Sequence, residues 1–225
     1  TDTIYAWTGV PSGSFTLSDT DFSNAFNMEA IQVSSAGTAT VTLGANTNAA
    51  FATGISISQV LSGALVVNGA LSTVAIDAVG NSGQDILSGG AGNDIITGGT
   101  GIDVLTGAAG NDTFVFSSGD TGISLATADT IVDFVSGTDV IEIGAVAAYL
   151  EVDGASNNEA AFLNNAILHF TGSARDIYVE YNANSTGDAW VVVDVNSNDA
   201  VDGGDMFIVL TGVDLAAEIA PTDFI

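Results

Sequence analysis

The sequence has no cysteine and no lysine, one arginine (Arg175), one histidine (His169) and only two prolines. Without cysteine there are no disulfides, no thiolate zinc site and no cysteine nucleophile, and the redox compartment stays open. One histidine excludes a multi-histidine zinc site. It also restricts any Ser-His-Asp triad to His169, which sits beside Phe170 on an apolar helical face in a chain with no nucleophile-elbow sequence. The near absence of bases leaves a formal charge of -26, a field that repels nucleic acid and anionic lipid and draws in cations. Metal ions or cationic surfaces are therefore the expected partners, and nucleic acid is not. No apolar run approaches the roughly 20 residues that span a bilayer, and no basic start precedes an apolar stretch as in a cleavable signal peptide. Membrane insertion is not expected, and an export address must lie elsewhere. The glutamates (Glu29, Glu142, Glu151, Glu159, Glu180 and Glu218) show no spacing that selects a glycosidase pair. Trp7, Trp190, Tyr5 and Tyr178 suit core packing better than a sugar platform. No enzyme is expected.

What is present is ample apolar material: 225 residues, 47% of them hydrophobic, enough for a real core. Residues 1–79 read as short segments rich in Val, Ile and Thr, such as "EAIQVSS", "TATVTLG" and "GALVVNG", punctuated by Gly, Asn and Ser. That pattern suits strands joined by tight turns in a stacked or solenoidal sheet, with one helical turn in "LSDTDFSNAFNM". Residues 117–225 are mixed. "DTIVDF", "TDVIEI", "DIYVEYNA", "AWVVVDV" and "MFIVLTGV" read as strands. "SNNEAAFLNNAILHF" reads as a helix, with Ser156 and Glu159 spaced as a capping box and Phe162, Leu163, Ala166, Ile167 and Phe170 on one face. The expected fold class is all-β, a right-handed parallel β-roll or solenoid with flanking β-rich regions and one helix towards the C-terminal end. Its expected divisions are 1–79, 80–116 and 117–225.

Between the two mixed regions the sequence repeats in nines: GNSGQDILS, GGAGNDIIT, GGTGIDVLT and GAAGNDTFV over residues 80–115. Gly recurs at the first and fourth positions, Asp at the sixth and an apolar residue at the eighth (Leu87, Ile96, Leu105, Phe114). Two such units complete one coil, so each turn stacks on the turn 18 residues later, about 4.8 Å away. That places Asp85 against Asp103 and Asp94 against Asp112, where like charges repel. Gly tolerates the backbone angles that aim carbonyls inward beside them. A hard divalent ion answers both conditions, and Ca2+ accepts six to eight oxygens in loose geometry where magnesium demands a strict octahedron. Each site takes one oxygen from each of two aspartates, with carbonyls from the first and third positions of one turn and the second and fourth of its neighbour. The candidate metal residues are thus Gly80, Asn81, Ser82, Gly83 and Asp85; Gly89, Gly90, Ala91, Gly92 and Asp94; Gly98, Gly99, Thr100, Gly101 and Asp103; and Gly107, Ala108, Ala109, Gly110 and Asp112. At the second position the first copy departs with Asn81 and the fourth with Ala108.

This nonapeptide resembles that of the repeats-in-toxin (RTX) family, whose Gly-Gly-x-Gly-x-Asp-x-apolar-x unit forms a calcium-loaded parallel β-roll. Residues 110–143, with "DTIVDF", are similar to the segment that follows the roll in serralysin-type C-terminal domains, and Asp129 and Asp133 fall on that pattern. The closing "TDFI" resembles the family's uncleaved export signal. The resemblance implies calcium as cofactor, type I secretion machinery as partner, a secreted, extracellular or cell-surface location, and self-assembly or surface anchoring in the structural members.

A second acidic loop, "DVNSNDAVDGGD", sets Asp194, Asn196, Asn198, Ala200, Asp202 and Asp205 at positions 1, 3, 5, 7, 9 and 12, the ligand order of an EF-hand. Asp199 stands where Gly makes the sharp turn, Asp205 replaces the usual Glu, and both flanks read as strands. An EF-like calcium loop and a solvated acidic hairpin turn both fit. Three functional classes remain: a structural surface protein of S-layer or adhesin type, the calcium-binding secretion domain of a hydrolase such as a serralysin-like metalloprotease, and an enzyme, against which the scarcity of His, Lys and Cys argues.

Overall fold

In the leading region buried Ile31 and Val33, Ile55 and Ile57, and Leu65 and Val67 alternate with less buried neighbours, the period of a strand that buries one face. The structure, a computed structural model, describes residues 2–7, 13–25, 27–144, 148–153, 158–170, 176–183, 187–213 and 219–225. The chain forms two units, Thr1–Val115 and Phe116–Ile225.

The strands of the first unit are β1 (Thr3–Trp7), β2 (Phe15–Leu17), β3 (Ala30–Ser34), β4 (Ala39–Thr42), β5 (Ile55–Gln59) and β6 (Leu65–Asn68). They continue as β7 (Ile76–Gly83), β8 (Ile86–Ser88), β9 (Ile95–Gly101), β10 (Val104–Thr106) and β11 (Thr113–Val115). Odd-numbered strands stack as one parallel sheet and even-numbered strands as another, so the chain crosses from sheet to sheet at each turn, as in a parallel β-roll. The apolar eighth residues Leu87, Ile96, Leu105 and Phe114 are fully buried between the sheets. The boundary drawn at residue 79 falls inside β7, which carries both the end of the leading region and the first nonapeptide turn.

Coil length changes along the roll. Thr3 pairs with Ala30 and Ala30 with Ser56, 27 and 26 residues on. Ile55 pairs with Ile76 after 21 residues, and Asp77 with Ile95 after 18. The surplus in the early coils folds into a 3-10 turn at Asp19–Phe22, inside the segment expected to hold one, and into α1 (Ala45–Ala50). α1 leaves no helical signal in the sequence, because Asn and Thr are weak helix formers. It is fixed from outside by Asp19, whose carboxylate accepts the Asn46 and Thr47 N–H groups at 3.1 and 2.8 Å. Phe22 and Phe51, both buried, meet edge to face at 5.9 Å.

The second unit holds β12 (Asp129–Ile131), β13 (Val140–Glu142), β14 (Ala148–Asp153), α2 (Glu159–His169), β15 (Asp176–Ala183), β16 (Asp188–Asp194) and β17 (Met206–Leu210). Five of these strands form a mixed sheet in the order β14-β15-β16-β17-β12. β14 was not anticipated. Against the sheet α2 packs Phe162, Ala166 and Phe170, in contact with Tyr178, Trp190, Val192 and Phe207. The Phe162 ring lies 5.2 to 5.4 Å from those of Phe207, Tyr178 and Trp190, so Trp190 and Tyr178 belong to the core. Tyr5 is 74% exposed instead, and the Trp7 side chain lies outside the described residues. Ile167, expected on the packed face, is 41% exposed, because residues 162, 166 and 170 define the buried stripe and 167 falls on its flank. Ser156 lies outside the described residues. The helix cap is Asn158, whose Oδ1 accepts the Ala161 N–H at 3.0 Å, and this leaves Glu159 as the first helical residue. The closing residues are tied to β13 and the residue after it: Ile225 N–H donates to the Ile141 carbonyl, and Ile143 N–H to that of Ile225.

Candidate metal centre

In the first and third nonapeptides positions one to four prolong β7 and β9, in the second and fourth they lie outside the strands, and in every copy the Asp stands one residue before the next strand. Ile86 pairs with Val104 and Ile95 with Thr113, which brings Asp85 beside Asp103 and Asp94 beside Asp112. The turns stack in the same register: Asn81 pairs with Gly99, Ser82 with Thr100 and Gly83 with Gly101. In the other column Ala109 N–H donates to the Gly90 carbonyl at 2.9 Å.

All four aspartates are buried. One oxygen of each is used to clamp the preceding coil. Asp103 Oδ1 accepts the Asp85 N–H and Asp112 Oδ1 the Asp94 N–H, both at 2.8 Å. Asp94 Oδ1 takes the Ile76 N–H at 2.7 Å and Asp85 Oδ1 the Leu65 N–H at 2.6 Å. The second oxygen faces the first-position glycine of its own repeat. A Cβ on Gly80 would lie 2.0 Å from Asp85 Oδ2 and 2.4 Å from the Gly98 carbonyl oxygen. On Gly89 it would lie 2.2 Å from Asp94 Oδ2 and 2.5 Å from the Gly107 carbonyl. Only glycine fits there, and its bare Cα leaves acceptor oxygens from successive coils facing one another.

Asp85 Oδ2 is buried with no hydrogen-bond donor. A buried carboxylate without a counter-ion costs several kcal/mol, and burial pushes the Asp85 carboxyl up to about 6 against the pull of the Leu65 N–H. Asp94 is also raised by burial, opposed by the Gly90 and Ile76 N–H groups. Oxygen-only donors, anionic and facing each other across small turns, fit a hard cation such as calcium. Among the described residues no three Asp, Glu, His or Cys side chains converge as a metal cluster. An ion held in these turns would find at most a pair of carboxylates and would need carbonyls to complete its shell.

Comparison with family models matches residues 79–114 and 88–122 to the RTX calcium-binding nonapeptide repeat, four copies. Residues 79–122 carry RTX calcium-binding nonapeptide repeats. No curated protein matches the chain. The RTX turns bind calcium.

At the second position of the RTX turn Asn81, Gly99 and Ala108 have φ of 90°, 85° and 73°. The two departures from glycine thus keep the glycine conformation. Asn tolerates it well, whereas Ala carries a Cβ penalty of roughly 1–2 kcal/mol. Ala108→Gly is expected to raise the stability of the calcium-loaded protein by about 1 kcal/mol, read from denaturant midpoints. A loss of stability would show that Ala108 is held there by packing.

The other candidates belong to the second unit. Asp129 opens β12, buried, with its N–H donating to Thr121 Oγ1 at 2.9 Å, and Asp133 follows the same strand. The 194–205 loop is a hairpin between β16 and β17, and Asp199 at its sixth position has φ of 61°, so the sharp turn forms without glycine. Its carboxylates are spent on the loop itself. Asp194 accepts the Asn198 and Asp199 N–H groups, and Asp205 those of Val195 and Asp202. Asp202 accepts from the side chains of Asn196 and Asn198. Burial raises Asp205, with the charges of Asp194 and Asp202 adding to it, while the Gly204 N–H and Asn198 lower Asp202. The Ala200 N–H donates to Asn198 Oδ1 at 2.9 Å.

Proposed function

We propose that this chain is an extracellular structural module of a surface protein of S-layer or adhesin type, exported by type I secretion machinery, whose RTX roll closes and stiffens when calcium arrives. The observation that carries it is the stacking of four buried aspartates in two cross-coil pairs. In calcium-poor cytosol those charges oppose closure and keep the chain loose enough to thread, and calcium outside adds its binding energy to the native state alone. The module acts through this change of state and not through catalysis. The loop at 194–205 serves as a second, weaker calcium position, because ions there compete with N–H groups already bound to Asp194 and Asp205. Electron microscopy of the protein with and without millimolar calcium tests the assignment. Ordered lattices or filaments that dissolve on chelation support a structural subunit. Dispersed particles in both conditions would favour the secretion domain of a hydrolase.

A further inference from the structure

The roll is built in two chemistries. Its nonapeptide coils bury Asp85, Asp94, Asp103 and Asp112, whereas among the described residues the buried polar side chains of its leading coils are Ser35, Thr47, Gln59 and Ser72, all uncharged. These neutral groups bridge neighbouring coils as the aspartates do. Gln59 Nε2 donates to the carbonyls of Ser35 and Gly63 at 3.2 and 3.1 Å, and its Oε1 accepts the Ser35 and Val60 N–H groups at 3.4 and 3.2 Å. Ser35 Oγ reaches the Gly13 carbonyl at 2.7 Å. One coil on, Asn48 Oδ1 takes the Thr73 N–H at 3.0 Å, and Asn48 Nδ2 donates to the Leu71 carbonyl at 3.3 Å.

A bridge of this kind satisfies the turn without burying charge, so among the described residues of the leading coils nothing needs a cation to close. Their last strands, β6 and β7, present the Leu65 and Ile76 N–H groups that Asp85 and Asp94 accept. We infer that residues 13–79 form a calcium-independent segment of the roll, on whose β6 and β7 the RTX coils assemble as calcium binds. The inference rests on calcium being the ion of the RTX turns. The calcium transition then spreads from the leading coils and is confined, within the first unit, to residues 80–115.

Hydrogen exchange of the full chain, calcium-free and calcium-loaded, tests this. Amides of β3 to β6 are expected to keep their protection without calcium, within about ten-fold of the loaded protein, while those of β8 to β11 lose it by far more. Protection lost equally along the whole roll would overturn the inference and leave the calcium assignment standing. No difference anywhere between the two samples would overturn the calcium assignment itself. Gln59→Ala should weaken protection of β5 and β6 in calcium-free protein and lower apparent calcium affinity, whereas Glu29→Gln should do neither. A Gln59→Ala protein with unchanged calcium affinity would show that the leading coils do not template the RTX turns.

Discussion

Asp103→Asn is expected to make the calcium-free protein more stable and the calcium-loaded protein less so. The amide oxygen can still accept the Asp85 N–H that Asp103 Oδ1 holds at 2.8 Å, so the coil-to-coil clamp survives. The buried charge does not. Its removal should stabilise the calcium-free form by more than about 1 kcal/mol. With calcium at 100 times its dissociation constant, loss of one site forfeits about 2.7 kcal/mol. The gap between loaded and unloaded melting temperatures should narrow from both sides. Asp94→Ala and Asp103→Ala should also lower calcium affinity in titration calorimetry, far more than substitutions of Glu29 or Glu151. Equal effects from all four would remove the aspartate pairs from the site.

The opposite responses of the two forms follow from features that differ in how plainly the sequence shows them. The nonapeptides are legible because nine residues is half a coil, which repeats Gly, Asp and the buried eighth residue without drift. Register and pairing partners then follow from counting, and β8, β9, β10 and β11 stand where the repeat sets them. The leading coils lack a fixed period, shortening from 27 residues to 18 as the 3-10 turn and α1 drop out. Their strands are visible by alternation, but Gln59 gives no local sign that it bridges Ser35 and Gly63, since those partners are set by coil length. α1 is hidden for the related reason that its cap, Asp19, lies a coil away. At the helix of the second unit, composition locates the element but not its start: Asn158 caps it by accepting the Ala161 N–H, and both Ser and Asn are good caps by composition. The EF-like spacing at 194–205 shows the converse limit. A ligand order describes which side chains can meet, and in this hairpin they meet backbone N–H groups and the amides of Asn196 and Asn198.

Acidification is expected to act in opposite directions on the two forms of the protein. Asp85 has a folded-state carboxyl raised from the ordinary 3.8 to about 6 by burial, and Asp94 is raised by the same cause. Between those values the calcium-free native state holds more protons than the unfolded chain. Stability of that form therefore rises as pH falls through 6 towards 4 and is lost as pH rises through 6. In calcium the sign reverses, because the ion requires ionised carboxylates and protons compete with it. Plots of thermal midpoint against pH from about 4 to 8 should slope oppositely with and without calcium and converge at the acid end. General relief of the -26 charge also favours the acidified calcium-free form,, so the local contribution needs its own variant. Asp85→Asn should flatten the calcium-free slope near pH 6, whereas Asp21→Asn, which neutralises an exposed carboxylate, should leave that feature in place. Parallel slopes in the two conditions would mean that protons and calcium do not share the buried aspartates.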